Sequence, residues 1–132
     1  DRPWRWHRLA ADAVLDVVAE EDLCARAETL GVRMRARFET MRNRFPFIAE
    51  VRGLGAMTAV EFCHEGDPKR PAPEIANALK EEAARRGLLL LTCGSYGNVL
   101  RVMIPLTIPE AVLDEGLDII EASLQAIAER KA

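Results

Sequence analysis

Residues 98–107 form an apolar run typical of a β-strand, with one arginine, Arg101, at its centre. Alternate side chains of a strand point to opposite faces of a sheet, so Leu100 and Val102 share one face and Arg101 lies on the other. A guanidinium in an apolar wall requires an acidic partner, a ligand or access to water, because an unpaired buried charge is unfavourable. Its planar fork suits a carboxylate held by two parallel hydrogen bonds. The run therefore predicts either a carboxylate anchor at Arg101 or one half of a structural salt bridge.

The spacing of apolar residues elsewhere predicts helices packed on a small sheet. Helices are expected over residues 9–20, over 22–44 with Asp22 as N-cap, from Pro73 to a closing Gly87, and beyond Pro109. Strands are expected over residues 56–62, 88–91 and 99–104, the second of them fully buried and joined to the third by a glycine-rich hairpin. The fold class is therefore α+β, with a small, mainly antiparallel sheet covered on one face by helices. Residues 1–132 are expected to form a single domain.

Composition excludes several classes of function. The 132 residues carry 18 basic and 21 acidic side chains, and this balance does not favour nucleic acid as a partner. The arginines between residues 33 and 44 are interpreted as a solvated helix face. No apolar run approaches the ~20 residues that a membrane helix needs. The three cysteines show neither disulfide nor metal-ligand spacing, which favours free thiols in a cytoplasmic protein and no metal site.

Three segments, residues 51–57, 87–94 and 98–107, occur in an order that resembles the C-terminal part of class III aminotransferases. These are pyridoxal-phosphate-dependent enzymes of fold type I, and the pattern is most similar to the 4-aminobutyrate aminotransferase subgroup. The resemblance implies that Arg101 holds the carboxylate of the amino-acid substrate. It also implies that Tyr96 and Asn98 shape the rim of the substrate pocket.

The resemblance also identifies what this chain lacks. Its three lysines, Lys69, Lys80 and Lys131, match none of the family's positions for the lysine that forms a Schiff base with the cofactor. The chain is therefore expected to contain no catalytic and no cofactor-binding residue and to be inactive alone. Its expected partners are a large lysine-bearing domain, amino-acid and 2-oxo-acid substrates, and further copies of itself. Two alternatives stay open: a non-enzymatic ligand-binding or dimerisation module, and a fragment of an acetylornithine or ornithine aminotransferase or an aminomutase.

Residues 1–8 depart from the family pattern, because a segment with Trp4 and Trp6 stands where relatives resemble Asn-Pro-Leu-Ala-Val-Ala. GC-rich codons for Pro-Leu-Ala-Val-Ala, translated one base later, give Pro-Trp-Arg-Trp followed by His or Gln. A frameshifted or truncated gene product is therefore one hypothesis. A proteolytic fragment and an excised piece are the other two.

Overall fold

The computed structural model describes the backbone of residues 3–131 and the side chains of residues 22–131. The helices are α1 (Pro3–Arg44), α2 (Pro73–Arg85) and α3 (Glu110–Lys131). The strands are β1 (Ile48–Leu54), β2 (Met57–His64), β3 (Asp67–Pro71), β4 (Leu91–Cys93) and β5 (Val99–Met103). None of the described helices is both long and apolar enough to cross a membrane.

The five strands form one sheet in which every neighbouring pair is antiparallel. Its order is β1-β2-β5-β4, and β3 pairs with the end of β2. The helices cover one face of this sheet, here called the inner face. Apolar side chains from α1, α2, α3 and the inner face form one core, which includes Leu30, Met34, Phe38, Val60, Phe62, Leu79, Leu100, Leu117 and Leu124. The predicted α+β class with a mainly antiparallel sheet is confirmed.

Helix α1 runs without a break through the position where the sequence predicted two helices. Asp22 lies inside the helix and is not an N-cap. Asp22 is of a residue type that often caps helices and so suggested a helix start, but no glycine or proline interrupts the helical segment there. Trp4 and Trp6, on which the frameshift hypothesis depends, lie outside the residues whose side chains the structure describes.

The arginines of α1 do more than face solvent, which corrects part of their sequence-based interpretation. Arg33 and Arg37 pair with Asp114 and Asp118 on α3, and Arg44 donates to Gln125. Each donor and acceptor are 81 positions apart, so the two helices run parallel in a fixed register. The arginines therefore join α1 to α3 along a half-exposed groove.

Residues 88–91 are not the buried strand that the sequence predicted. Of these four residues, only Leu91 belongs to β4. Residues 88–90 precede the strand and pair with no described strand. Leu89 is 88% exposed and Leu91 is 77% exposed, because β4 lies at the edge of the sheet and only one of its faces meets the helices. Strand β3 was not predicted at all, since its two prolines and charged residues are unfavourable for a strand.

Candidate functional site

Arg101 projects from the face of the sheet that the helices leave open, here called the outer face. Its neighbours along β5 alternate as the sequence predicted: Leu100 is fully buried and Val102 packs against the core, whereas Met103 is exposed. Paired residues in an antiparallel sheet share a face. Arg101 pairs with Ala59 on β2 and with Leu91 on β4, so small and apolar side chains flank it.

The Arg101 side chain is exposed and free of protein partners in the described part of the chain. Within residues 22–131 it makes neither a hydrogen bond nor an ion pair. Access to water thus satisfies the requirement for a guanidinium in an apolar strand. The geometry leaves both edges of the guanidinium fork available to an anion.

A second arginine, Arg52, lies in the same row of cross-strand neighbours as Arg101. The sequence analysis did not identify it as a candidate site residue. It pairs with Ala59 from the β1 side, so the row reads Arg52, Ala59, Arg101 and Leu91 across four strands. Arg52 differs from Arg101 because its Nη1 donates to Glu50 at 3.1 Å and to Glu61 at 3.3 Å. Two carboxylates therefore neutralise Arg52.

Glu61 is 29% exposed in its side chain and engaged with Arg52. Its ion pair with Arg52 accounts for a charged side chain at this position on the outer face. Strand alternation was the available signal, since Glu50 and Arg52 are two positions apart and share a face of β1. The pairing of β1 with β2, which the sequence does not show, places Glu61 beside Arg52.

Asn98 holds the turn that leads into Arg101. It is 2% exposed, its Nδ2 donates to the Phe62 carbonyl at 3.0 Å, and its own carbonyl accepts from the Phe62 amide at 2.9 Å. The turn before it needs two left-handed backbone conformations, which glycines at 94 and 97 provide. Asn98 thereby fixes the start of β5, and its side-chain donor is occupied by protein.

Tyr96 projects from the same turn and is exposed. With Glu61, Lys69 and three prolines it lines a wide, open depression of about 650 Å³ at one end of the outer face. The structure therefore brings Tyr96 to the outer-face side of the sheet, in the turn that joins β4 to β5.

The family of the chain follows from its sequence as a whole. The profile described as Aminotransferase class-III matches residues 6–124. The chain belongs to the class III aminotransferases. It is similar to 5-aminovalerate aminotransferase DavT of Pseudomonas putida (43% identity over 90% of this chain) and to a probable 4-aminobutyrate aminotransferase of Bacillus subtilis (43% over 89%). The class III aminotransferase segment seen here spans only 28% and 27% of the length of those two relatives.

Solved structures give the same result for the fold of this class III aminotransferase segment. A phospholyase from Arthrobacter, solved in complex with phosphoethanolamine, superposes with a TM-score of 0.74 at 33% sequence identity. The match covers 86% of this chain and 27% of that one. The fold is thus shared with a larger protein whose named chemistry differs from transamination.

Class III aminotransferases depend on pyridoxal phosphate, whose aldehyde forms a Schiff base with a lysine amine. The lysines of this chain are on β3 (Lys69), on α2 (Lys80) and at the end of α3 (Lys131). None of them lies in the row that contains Arg101.

Proposed function

We propose that residues 1–132 are the substrate-anchoring C-terminal domain of a pyridoxal-phosphate-dependent aminotransferase. The parent protein would transfer an amino group between an ω-amino acid of the 4-aminobutyrate type and a 2-oxo acid. The observation that carries the proposal is the exposed Arg101 guanidinium, which has no partner among the described side chains. Membership of the family and the similarity to 4-aminobutyrate and 5-aminovalerate aminotransferases support this substrate class.

Arg101 would hold the substrate carboxylate through two parallel N–H···O hydrogen bonds from its fork. Its flanking residues Leu91, Met103 and Ala59 offer no competing acceptor side chain. When another part of the parent protein covers the outer face, these apolar neighbours would exclude water. The attraction between guanidinium and carboxylate is stronger in such a low-dielectric setting.

Arg52 would not bind the substrate carboxylate. Its charge is compensated by Glu50 and Glu61, so a substrate carboxylate near Arg52 would meet two negative groups. Arg101 is the cation of the row that remains uncompensated by described residues. We therefore propose one anchoring arginine on this face rather than two.

Asn98 and Tyr96 would act around the anchor in different ways. Asn98 would position the start of β5 through its bonds to Phe62, and thus aim Arg101 indirectly. Tyr96 would contribute the exposed rim of the pocket. Both assignments rest on the turn between β4 and β5, which holds Asn98 three positions and Tyr96 five positions before the arginine.

The lysine that forms the Schiff base would lie in a large domain outside this chain. The complete enzyme would be a homo-oligomer in the cytoplasm. Free thiols at Cys24, Cys63 and Cys93 are consistent with a reducing compartment. The isolated chain should show no saturable, borohydride-trapped bond between pyridoxal phosphate and a single lysine. Saturable trapping together with turnover of 4-aminobutyrate and 2-oxoglutarate would overturn the assignment of catalysis to another domain.

The anchor can be tested directly on this chain by NMR titration of the arginine Nε–Hε signals. We expect the Arg101 signal to shift with 4-aminobutyrate and to shift much less with 4-aminobutanamide, which lacks the carboxylate. The backbone amides of Ala59 and Leu91, the cross-strand neighbours of Arg101, should shift together with it. Arg101→Ala should abolish these amide shifts, Arg101→Lys should weaken them, and Arg52→Lys should preserve them. Unchanged amide shifts in a folded Arg101→Ala variant would refute the proposed anchor.

A dimerisation module without enzymatic activity is the second candidate. The observation that favours it is the open edge of the sheet at β4, where exposed leucines precede and begin the strand. A chain that dimerises but shows no carboxylate-dependent shift of Arg101 would support this candidate over the first.

A further inference from the structure

Strands β2 and β5 place an acidic side chain near Arg101 on the outer face. Ala59 pairs with Arg101, and Glu61, two positions further along β2, pairs with Val99. Paired residues, and residues two positions apart on one strand, share a face of the sheet, so these four side chains form a four-cornered group on the outer face. Arg101 and Glu61 occupy opposite corners, which are about 7–8 Å apart in an antiparallel sheet.

The other two corners of this group are short apolar side chains. Ala59 is 7% exposed and Val99 is 6% exposed, although both lie on the face that the helices leave open. The two residues therefore form an apolar floor between the longer side chains of Arg101 and Glu61. Methylene groups of a ligand would bind favourably on such a floor, because contact with it removes apolar surface from water.

The charges around Glu61 do not cancel. Within residues 22–131, Glu50 and Glu61 share one cation, Arg52, whose Nη1 lies 3.1 Å from the Glu50 carboxylate and 3.3 Å from the Glu61 carboxylate. Two carboxylates and one guanidinium leave one negative charge in excess. Lys69 lines the depression beside Glu61 but forms no ion pair with it in the same residues. An uncompensated negative charge thus lies across the apolar floor from the uncompensated positive charge of Arg101.

We propose that Glu61 recognises the ammonium group of the substrate whose carboxylate Arg101 holds. The inference rests on the proposed function and specifies the form of the substrate: a zwitterionic ω-amino acid with a short methylene chain between its charged ends. Its carboxylate would bind Arg101, its methylene groups would lie over Ala59 and Val99, and its ammonium group would approach the Glu61 carboxylate. A 2-oxo acid has no ammonium group, so Glu61 would favour the amino donor over the acceptor.

The orientation of the Glu61 side chain leaves both ends of this site accessible. Its carboxylate contacts Arg52 on the β1 side and does not occupy the Arg101 fork. Because Glu61 remains partly exposed, its attraction for an ammonium group should be that of an exposed ion pair, about two- to fivefold in affinity. The contact would serve the first binding of the substrate, since the amine must leave Glu61 before it can react.

NMR titrations of this chain with 4-aminobutyrate and with butanoate test the role of Glu61, because butanoate carries the carboxylate without the ammonium group. The backbone amides of Ala59 and Leu91 report binding at Arg101 for both ligands. We expect 4-aminobutyrate to bind about two- to fivefold more tightly than butanoate at low ionic strength, and this preference should decrease as salt is added. Glu61→Gln should remove the preference without weakening the binding of butanoate.

Glu115→Gln is the matched control, because it removes the same charge from an exposed position on α3 and should leave the preference unchanged. Equal binding of the two ligands by the unmodified chain would overturn the role of Glu61 and leave the carboxylate anchor intact. Equal weakening of both ligands by Glu61→Gln would show that Glu61 only supports the structure of the outer face, which also overturns the inference. The absence of amide shifts with either ligand would refute the anchor itself, and this inference with it.

Discussion

Arg33 on α1 and Asp114 on α3 face each other through two parallel hydrogen bonds, from Nε to Oδ1 at 3.0 Å and from Nη2 to Oδ2 at 2.6 Å. The hydrogen bond from Arg33 lowers the pKa of Asp114 below its ordinary value, and the positive charges of Arg33 and Arg37 act in the same direction. A carboxyl group with a lowered pKa stabilises the fold above its unfolded pKa, near 4, and loses that contribution as the pH falls through the folded pKa.

Asp114→Asn should therefore lower the free energy of unfolding slightly at pH 7, and this difference should be smaller at pH 2, because the carboxyl group loses its contribution as the pH falls through its lowered pKa. Urea unfolding at both pH values measures the difference. Glu115→Gln on the same helix is the control, because Glu115 is exposed and forms no ion pair among the described residues. An equal loss at both pH values would show that shape rather than charge matters at position 114.

Glu82 joins α2 to α3 and should be important for stability. Its buried carboxylate accepts hydrogen bonds from Arg85 and from Arg130, and Arg86 lies 3.6 Å away. Hydrogen bonds to charged groups contribute about 1.5–3 kcal/mol, so Glu82→Ala should lower the free energy of unfolding by about 2 kcal/mol.

The adjacent Glu81 provides the control for position 82. It is exposed and has no ion pair within residues 22–131, so Glu81→Ala should change the stability by less than about 0.5 kcal/mol. Equal effects of the two alanine variants in chemical denaturation would contradict a specific role for Glu82.

Two helical glycines should respond to alanine in opposite ways. A Cβ on Gly31 of α1 would lie 1.8 Å from the Gly55 carbonyl oxygen, whereas a Cβ on Gly116 of α3 would meet nothing within 4 Å. Gly116→Ala should stabilise the protein by about 0.5–1 kcal/mol, since alanine loses less backbone entropy in a helix. Gly31→Ala should destabilise it by at least about 1–3 kcal/mol, because α1 must move away from the turn between β1 and β2. A stabilised Gly31→Ala variant would refute the close helix–turn contact.

The cysteines should differ in reactivity according to their burial. Cys24 is exposed, Cys93 is partly exposed and Cys63 is buried, and this burial raises the pKa of the Cys63 thiol. Because the thiolate is the reactive form, alkylation of the folded protein at pH 8 should proceed first at Cys24 and last at Cys63. Peptide mass mapping over time measures the order. Modification of Cys63 as fast as that of Cys24 in the folded protein would contradict this order, and loss of the modified peptide in a Cys63→Ser variant would confirm its assignment.

The sequence predicted the central strands and the orientation of Arg101 because these depend on local alternation. Leu100 and Arg101 are adjacent, and a strand must send them to opposite faces. The helices α2 and α3 were likewise predicted from apolar spacing, with Pro73 at the first position of α2. In each case a single segment contains the information.

The remaining features depend on which segments become neighbours. The Arg52–Glu61 ion pair depends on the register of β1 on β2, and the exposure of Leu89 depends on β4 lying at an edge. Four successive leucines are equally consistent with a buried strand and with an edge that awaits a partner. The missing break near Asp22 has another cause, since side chains that cap a helix also occur within helices.

The constant separation of 81 residues between partners on α1 and α3 has a consequence for biosynthesis. Contacts between distant parts of a chain form only after the loop between them has closed, which slows folding. During translation α1 leaves the ribosome first among the described elements and α3 leaves last. The apolar side of α1, with Leu30, Met34 and Phe38, therefore stays incompletely covered until the final helix emerges, and this interval is when the nascent chain most needs protection from aggregation.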